Sequence, residues 1–331
     1  MGDVLHSSRH LSRPVAPGHF PVLLILLAVG IGLIDWFWAV TSHFLVAGTA
    51  YAGMAAMSGL CWAGGYIYGI WRPEPRISAM LFGTGFLVSF TAGASVLNAM
   101  LLTVAGPRID TLLAQADIAL GLDWPGMMRA MADHPCLLKI LHLAYGVLLP
   151  EISLAVVVLA TLNRIPSLYR FILAVAIGAL ICIFVWTLFP AFGAMSVYHL
   201  DPALAARLNV PVDGAYGEAL IRMLRDGPGH IASSNVKGLI GFPSYHAVLA
   251  LLLIWYLRDV QWLRWPVLIL NGIVIFATPI EGGHHWVDVF AAVPVTALSI
   301  LLARRAFDLT AQMDRAQAVA QPQEEMVAPA A

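Results

Sequence analysis

The sequence contains few charged residues. Only 11% of its 331 residues are Asp, Glu, Lys or Arg, whereas soluble domains carry about 25%. This deficit excludes an ordinary soluble enzyme. The 18 basic and 19 acidic residues leave a net charge of −1, and no basic block extends beyond Arg304-Arg305. We therefore expect no nucleic-acid partner.

Cysteine is also scarce. The three cysteines, Cys61, Cys136 and Cys182, are too few and too widely spaced for a disulfide framework or a cysteine-rich zinc site. Apolar residues, in contrast, make up 60% of the chain, in runs long enough to cross about 30 Å of hydrocarbon. The sequence predicts an all-α, polytopic membrane helical bundle with about eight transmembrane helices. The expected spans are 20–41, 44–71, 77–105, 137–162, 171–193, 243–257, 265–280 and 284–303.

The distribution of arginine predicts the orientation in the membrane, because cytoplasmic loops carry an excess of Lys and Arg. With the N-terminus inside, the inside segments hold eleven of the 18 basic residues, and each short inside loop contains a pair of arginines. We expect both termini in the cytoplasm. Two long segments, 106–136 and 194–242, then lie on the outer face.

Two short strings place titratable side chains at the outer ends of predicted helices. The first is Gly241-Phe242-Pro243-Ser244-Tyr245-His246, and the second is Glu281-Gly282-Gly283-His284-His285-Trp286-Val287-Asp288. In the first string, the free N–H groups of the helix start, together with Ser244, can receive phosphate oxygens. His246 then lies beside the anion as an acid and base.

In the second string, His284 and Asp288 are four residues apart and share one helix face. A carboxylate that accepts the N–H of one imidazole nitrogen fixes the tautomer. The other nitrogen keeps its lone pair, as a nucleophile requires.

Together these strings resemble the type 2 phosphatidic acid phosphatase superfamily. Pro243-Ser244-x-His246 is followed 38 positions later by His284-x-x-x-Asp288. Phe242 before Pro243 makes the first string similar to that of the inositolphosphotransferase, or inositol phosphorylceramide synthase, branch. Two upstream stretches, 117–124 and 142–150, are similar to this branch as well. The resemblance extends over about residues 77–303.

The resemblance implies a specific mechanism. His284 would be the nucleophile that forms a phosphohistidine, Asp288 would orient it, and His246 would protonate the leaving alcohol and later activate the acceptor. It implies no cofactor and no metal. The expected partners are a lipid phosphate donor and an alcohol or water acceptor in the membrane. The family's active site faces the lumen or periplasm, as the arginine pattern also predicts.

This chain departs from the family at its phosphate clamp. The Lys-x6-Arg-Pro element is absent, and Ala277-Thr278 stands where the superfamily has Ser-Arg. Other cations must then neutralise the phosphate. Our candidates are Arg222, Arg225 and Lys237, in the outer segment before His246.

We expect three parts in the chain. Residues 1–76 form a cytoplasmic N-terminus and two extra transmembrane helices, 77–303 form a six-helix catalytic core, and 304–331 form a cytoplasmic disordered tail. The expected activity is a lipid phosphotransferase or phosphatase of the inner or cell membrane, with a preference for transfer of an inositolphosphate-like head group.

Two other functions fit the same residues. A membrane metallohydrolase would use His246, His284, His285 and Asp288 as zinc ligands. A transporter or structural protein without catalysis would use the outer histidines to sense pH. The acidic residues Glu151 and Glu281 have no role that the sequence assigns, although a carboxyl group within a span favours a polar cavity.

Overall fold

The computed structural model describes residues 18–43, 45–210, 214–227, 230–231 and 240–320. The helices in these ranges are α1 (His19–Ser42), α2 (Gly48–Tyr66), α3 (Pro75–Leu101), α4 (Asp110–Ala119), α5 (Trp124–Ala132), α6 (Pro135–Thr161), α7 (Ile165–Leu188), α8 (Pro202–Leu208), α9 (Gly214–Asp226), α10 (Tyr245–Leu257), α11 (Arg264–Glu281) and α12 (Trp286–Ala320). Single turns of tighter or wider helix lie at Leu102–Val104, Ala194–Ser196 and Ile67–Trp71. Two-residue strands, β1 (Leu45–Val46) and β2 (His230–Ile231), pair in parallel.

Every predicted span coincides with a helix, and the protein is an all-α, multi-pass membrane bundle. Within the described ranges, six helices are long and apolar enough to cross a membrane: α1, α3, α6, α7, α11 and α12. The other two predicted spans are weaker. Helix α10 has only 13 residues, and α2 contains five glycines among its 19 residues.

Helix α7 lies at the centre of the bundle and packs against α3, α6, α10 and α12. Small residues permit this close approach, as is typical of membrane helices. A Cβ atom added to Gly178 of α7 would lie 3.0 Å from the Val248 side chain of α10 and 3.3 Å from Ser299 Oγ of α12. Because α10 and α12 carry the two histidine strings, their contact with α7 fixes the relative position of the strings.

The described parts of the two long connecting segments, 106–136 and 194–242, contain the short helices α4, α5, α8 and α9. Trp124, at the start of α5, is fully buried, and its indole N–H donates a 2.9 Å hydrogen bond to the Pro279 carbonyl. That carbonyl lies in the last turn of α11, where carbonyl groups lack a partner within the helix. The bond attaches α5 to the end of α11 that precedes the second histidine string.

The C-terminal prediction was wrong for residues 304–320, which continue α12 instead of forming a disordered tail. Contacts with other helices explain the extension. Phe307 lies edge-on to Phe20 of α1, with ring centroids 5.1 Å apart. Arg170 of α7 donates a 2.7 Å hydrogen bond to Asp308, and Asp314 pairs with His19. Residues 321–331 of the predicted tail lie outside the described residues.

Candidate active site

The first histidine string forms the start of α10. Ser244 is the N-cap residue and is fully buried. Its hydroxyl oxygen lies 3.5 Å from the Ala247 N–H and 3.3 Å from His284 Nε2. Its own N–H donates to the Asp288 carbonyl at 3.1 Å. Ser244 therefore connects the start of α10 to the start of α12.

The start of α12 is held by a carboxylate from a distant part of the chain. Asp117 of α4 is fully buried and accepts the N–H groups of Trp286 at 2.9 Å and Val287 at 3.0 Å. A carboxylate at a helix N-terminus satisfies orphan N–H groups and complements the helix dipole. Asp117 thus fixes the direction in which the chain leaves His284 and His285.

The hydrogen bonds of His284 determine its tautomer. Nδ1 lies 2.8 Å from the Gly241 carbonyl oxygen and 3.2 Å from Asp288 Oδ2. Both neighbours are acceptors, so Nδ1 must carry the proton. In the neutral ring, Nε2 then presents its lone pair beside Ser244. The carboxylate is itself positioned by the His285 N–H, which donates to Asp288 Oδ2 at 2.8 Å.

His246 is the second residue of α10 and is less buried than His284. Its ring stacks on Tyr145 of α6, with centroids 4.5 Å apart and planes inclined by 17°. Two residues before His246, Ser244 Oγ lies 3.3 Å from His284 Nε2. The structure therefore brings the two predicted catalytic histidines together, with His246 as the more accessible member.

A tight loop between α7 and α8 packs beneath both strings. A Cβ atom on Gly241 would lie 2.1 Å from the Ala191 carbonyl oxygen, and one on Gly193 would lie 2.3 Å from the Gly283 carbonyl oxygen. Gly193 also has a φ of 83°, which only glycine adopts readily. Next to it, the Ala194 N–H donates to the Gly283 carbonyl at 2.6 Å. Glycine is required here because two backbone segments meet without space for a side chain.

Asp110 holds this loop from the other side. Its Oδ1 accepts the N–H groups of Phe192 at 2.6 Å and Gly193 at 3.0 Å. Its Oδ2 accepts Arg108 Nε at 2.8 Å, and the same guanidinium donates to Ser196 Oγ. Arg108 therefore compensates a buried carboxylate that supports the site.

The remaining acidic and histidine candidates lie around the site in separate pairs. His285 is fully buried, and its Nδ1 is 3.6 Å from Asp117 Oδ2, beyond hydrogen-bonding distance. Glu281 lies 3.0 Å from His142 Nδ1. Deeper in the bundle, Glu151 accepts a 2.9 Å hydrogen bond from the Asn271 amide.

Tyr198 lies beside His285, with the ring centroids 6.5 Å apart. Its ring stacks on Trp124, with centroids 5.6 Å apart. Partial burial, together with the nearby Asp117 and Asp123 carboxylates, raises the pKa of the Tyr198 hydroxyl. The hydroxyl is therefore more firmly protonated than an ordinary tyrosine and remains a neutral hydrogen-bond donor.

Two of the three predicted phosphate-binding cations lie on α9. Arg222 and Arg225 are exposed on α9. Arg225 donates to both oxygens of Asp226 at 2.8 Å, and this hydrogen bond lowers the pKa of Asp226. Lys237 lies outside the described residues. Thr278, which replaces the arginine of the family clamp, donates its hydroxyl to the Val274 carbonyl of its own helix.

The zinc-ligand alternative finds no support in the side-chain arrangement. In the described part of the chain, no three His, Cys, Asp or Glu side chains converge in a group that could hold a metal ion. His246, His284, His285 and Asp288 are thus neighbours without forming such a cluster.

Sequence reasoning gave no supporting role to Asp110 and Asp117, and it left Tyr145 as a core or cavity-lining residue. One signal was present for the first two. They are seven residues apart and therefore occupy one face of α4, a face that is buried despite carrying two carboxyl groups. For Tyr145 no signal beyond the branch resemblance existed, because its contact with His246 joins two helices far apart in sequence.

Comparison with known families agrees with this geometry. Residues 111–302 match the model of the PAP2 superfamily, a range that covers more than half of the chain and contains both histidine strings. No curated protein and no solved structure shows a significant match. The chain is a multi-pass membrane protein that belongs to the PAP2 superfamily, the type 2 phosphatidic acid phosphatases and related phosphotransferases.

Proposed function

We propose that the protein is a lipid phosphotransferase or lipid phosphate phosphatase that works through a phosphohistidine on His284. One observation carries this proposal: two acceptors, the Gly241 carbonyl and Asp288, surround Nδ1 and leave the Nε2 lone pair free for phosphorus. This is the arrangement that activates an imidazole as a nucleophile. The second ring, His246, supplies the acid and base.

The reaction has two displacements. In the first, His284 Nε2 forms a bond to phosphorus while the bond from phosphorus to the lipid oxygen breaks, and protonated His246 gives its proton to that oxygen. In the second, His246 takes a proton from the acceptor hydroxyl. The acceptor oxygen then attacks phosphorus, and the bond to Nε2 breaks. Protons and leaving groups balance without a cofactor.

The start of α10 is our candidate for the phosphate site. The first N–H groups of a helix lack acceptors within the helix and bind anions, and the Ser244 hydroxyl lies between these groups and His284 Nε2. The start of α12 is less available, because Asp117 already accepts two of its N–H groups. Arg222, Arg225 and Lys237 stay candidates for the remaining phosphate charge.

Head-group transfer is the finer form of the proposal. It rests on the likeness of Phe242-Pro243-Ser244-x-His246 to the inositolphosphotransferase branch, which favours an inositolphosphate-like group and an alcohol acceptor. The arginine pattern favours an active site on the periplasmic or lumenal side. Water would resolve the same phosphoenzyme in a phosphatase.

The decisive experiment traps the phosphoenzyme. Purified protein is incubated briefly with a lipid that carries ³²P in its head-group phosphate, and denatured protein is counted after acid and base treatment. We expect an acid-labile, base-stable label that is absent in His284→Ala. Turnover should be abolished in both His284→Ala and His246→Ala, and retained in the control His134→Ala, whose ring is exposed at the start of α6. Full turnover in His284→Ala would contradict the mechanism.

Addition of a lipid alcohol and addition of a chelator distinguish a transferase, a hydrolase and a metallohydrolase. Addition of a lipid alcohol such as ceramide or diacylglycerol should divert labelled phosphate from water to a new lipid if the protein is a transferase. Release of free phosphate or of the free head-group phosphate alone would identify a phosphatase or lipase-like hydrolase. A chelator should leave the rate unchanged, whereas a metallohydrolase would lose activity.

A further inference from the structure

The end of α10 opposite the histidines and the middle of α12 enclose a second site. An apolar groove of about 520 Å³ lies between the two helices, with Leu251, Trp255, Val293 and Leu301 in its walls. It adjoins a smaller polar pocket of about 230 Å³. Trp255, Arg258 and Arg304 line both spaces, so that groove and pocket form one continuous site.

The polar pocket has an excess of positive charge. Arg170, Arg258 and Arg304 line it, and Asp259 is its acidic lining residue. Arg258 lies over the Trp255 ring at 3.5 Å from the centroid, and its guanidinium is 3.8 Å from Asp259. From α12, Asp308 accepts an outward hydrogen bond from Arg170. All three arginines line the same pocket as Tyr256, so their charges lie in one region.

Two buried donors in this pocket have no acceptor. Arg170 Nε and the Tyr256 hydroxyl have no hydrogen-bond partner among the described residues, and Tyr256 is only 8% exposed. A buried polar group without a partner costs free energy. An anion with several oxygens would satisfy the Tyr256 hydroxyl and Arg170 Nε, which is itself part of one of the three guanidinium groups.

The groove specifies the rest of the ligand. Most of its lining residues are apolar, and three of them, Trp255, Val293 and Leu301, are exposed at the surface. The polar pocket lies beside Arg258, just after α10 ends. Arg304 follows Trp286 by 18 residues, or about 27 Å along a helix, close to the thickness of the hydrocarbon core. The pocket therefore lies at the head-group level of the leaflet opposite the histidines.

We propose that this site binds an anionic glycerophospholipid of that leaflet, with its phosphate among Arg170, Arg258 and Arg304 and an acyl chain in the groove. Phosphate and hydrocarbon are adjacent in such a lipid as they are in the site. The inference is independent of the proposed catalytic function, because it rests on the other end of the bundle and on residues without a role in the chemistry.

Native mass spectrometry of the purified full chain tests the proposal. Dioleoylphosphatidylglycerol is titrated against dioleoylphosphatidylcholine, which has the same chains and no net charge. We expect the anionic lipid to bind about tenfold more tightly. Arg304→Gln should remove most of this preference. Arg305→Gln is the matched control, since Arg305 is the exposed neighbour that does not line the pocket, and it should preserve the preference.

Two further measurements address the groove and the headgroup separately. Ala297→Phe fills the groove without changing charge and should weaken phosphatidylglycerol at least fivefold, which keeps the proposal testable if the arginine variants fail to fold. Inorganic phosphate alone should bind far more weakly than the lipid. The proposal would be overturned by equal affinity for the two lipids or by an equal loss in Arg304→Gln and Arg305→Gln. It would also be overturned if Ala297→Phe had no effect, or if inorganic phosphate bound as tightly as the lipid.

Discussion

Asp288→Asn is the substitution that best tests how His284 is held. It removes a negative charge and keeps the shape of the side chain. A hydrogen bond to a charged group contributes about 1.5–3 kcal/mol, and each 1.36 kcal/mol in a barrier changes the rate tenfold. We therefore expect kcat to fall about 10- to 150-fold as the carboxylate stops stabilising the charged imidazole.

The loss of kcat should not exceed this range, because a second hydrogen-bond acceptor for His284 Nδ1 remains. Where a carboxylate alone fixes a catalytic histidine, its amide variant loses about 10⁴-fold through the wrong tautomer. Here the Gly241 carbonyl lies 2.8 Å from Nδ1 and, as a backbone group, survives the substitution. The proton should remain on Nδ1, and Nε2 should remain the nucleophile.

The assay is single-turnover formation of the ³²P-labelled phosphoenzyme in nanodiscs, with thermal unfolding measured on the same samples. Asp288→Asn should form the acid-labile label slowly but to a full extent. A loss of 10⁴-fold or more in a folded variant would refute the role of the Gly241 carbonyl. An unchanged rate would refute the role of the carboxylate.

Three other substitutions test the supporting contacts. Ser244→Ala removes the helix cap and the hydroxyl beside His284 Nε2. We expect it to lose about 1 kcal/mol in stability and about tenfold in kcat. A normal kcat in this variant would show that the hydroxyl has no part in the mechanism. Asp117→Asn keeps one acceptor for the two N–H groups at the start of α12 and should lower the free energy of unfolding by about 2 kcal/mol, as denaturant titration of the purified protein would measure. Gly193→Ala must place a Cβ against the Gly283 carbonyl at a positive φ, so we expect at least about 2 kcal/mol of destabilisation, checked by thermal unfolding against Gly146→Ala, which has open space around its Cα.

The sequence could predict the spans and the reacting groups because both are local properties. A long run of apolar residues by itself predicts a membrane span. The four-residue spacing of His284 and Asp288 predicts that they share one helix face. The structure realises that spacing as a 3.2 Å contact. The 3.3 Å contact between Ser244 and His284 joins the two strings, which the sequence places at the ends of helices.

What the sequence could not predict is long-range. Asp117 reaches Trp286 across 169 positions, and Tyr145 meets His246 between two helices, so neither contact leaves a periodic pattern. The helical extension through residues 304–320 escaped prediction for a similar reason. The end of the chain is rich in Ala, Gln, Pro and Glu, a composition typical of a disordered tail. Contacts with Phe20, His19 and Arg170 explain why residues 304–320 are helical.

The contact between Asp117 and the start of α12 joins two parts of the chain that are synthesised far apart in time. Membrane helices enter the bilayer from the N-terminus onward, so α4 is in place long before residues 286 and 287 leave the ribosome. Until then, the Asp117 carboxylate has none of the amides that it accepts in the finished protein. A chain truncated before α12 therefore exposes an unsatisfied acid where a complete chain has a closed site. The two N–H groups that satisfy this carboxylate are therefore supplied only when α12 has been synthesised.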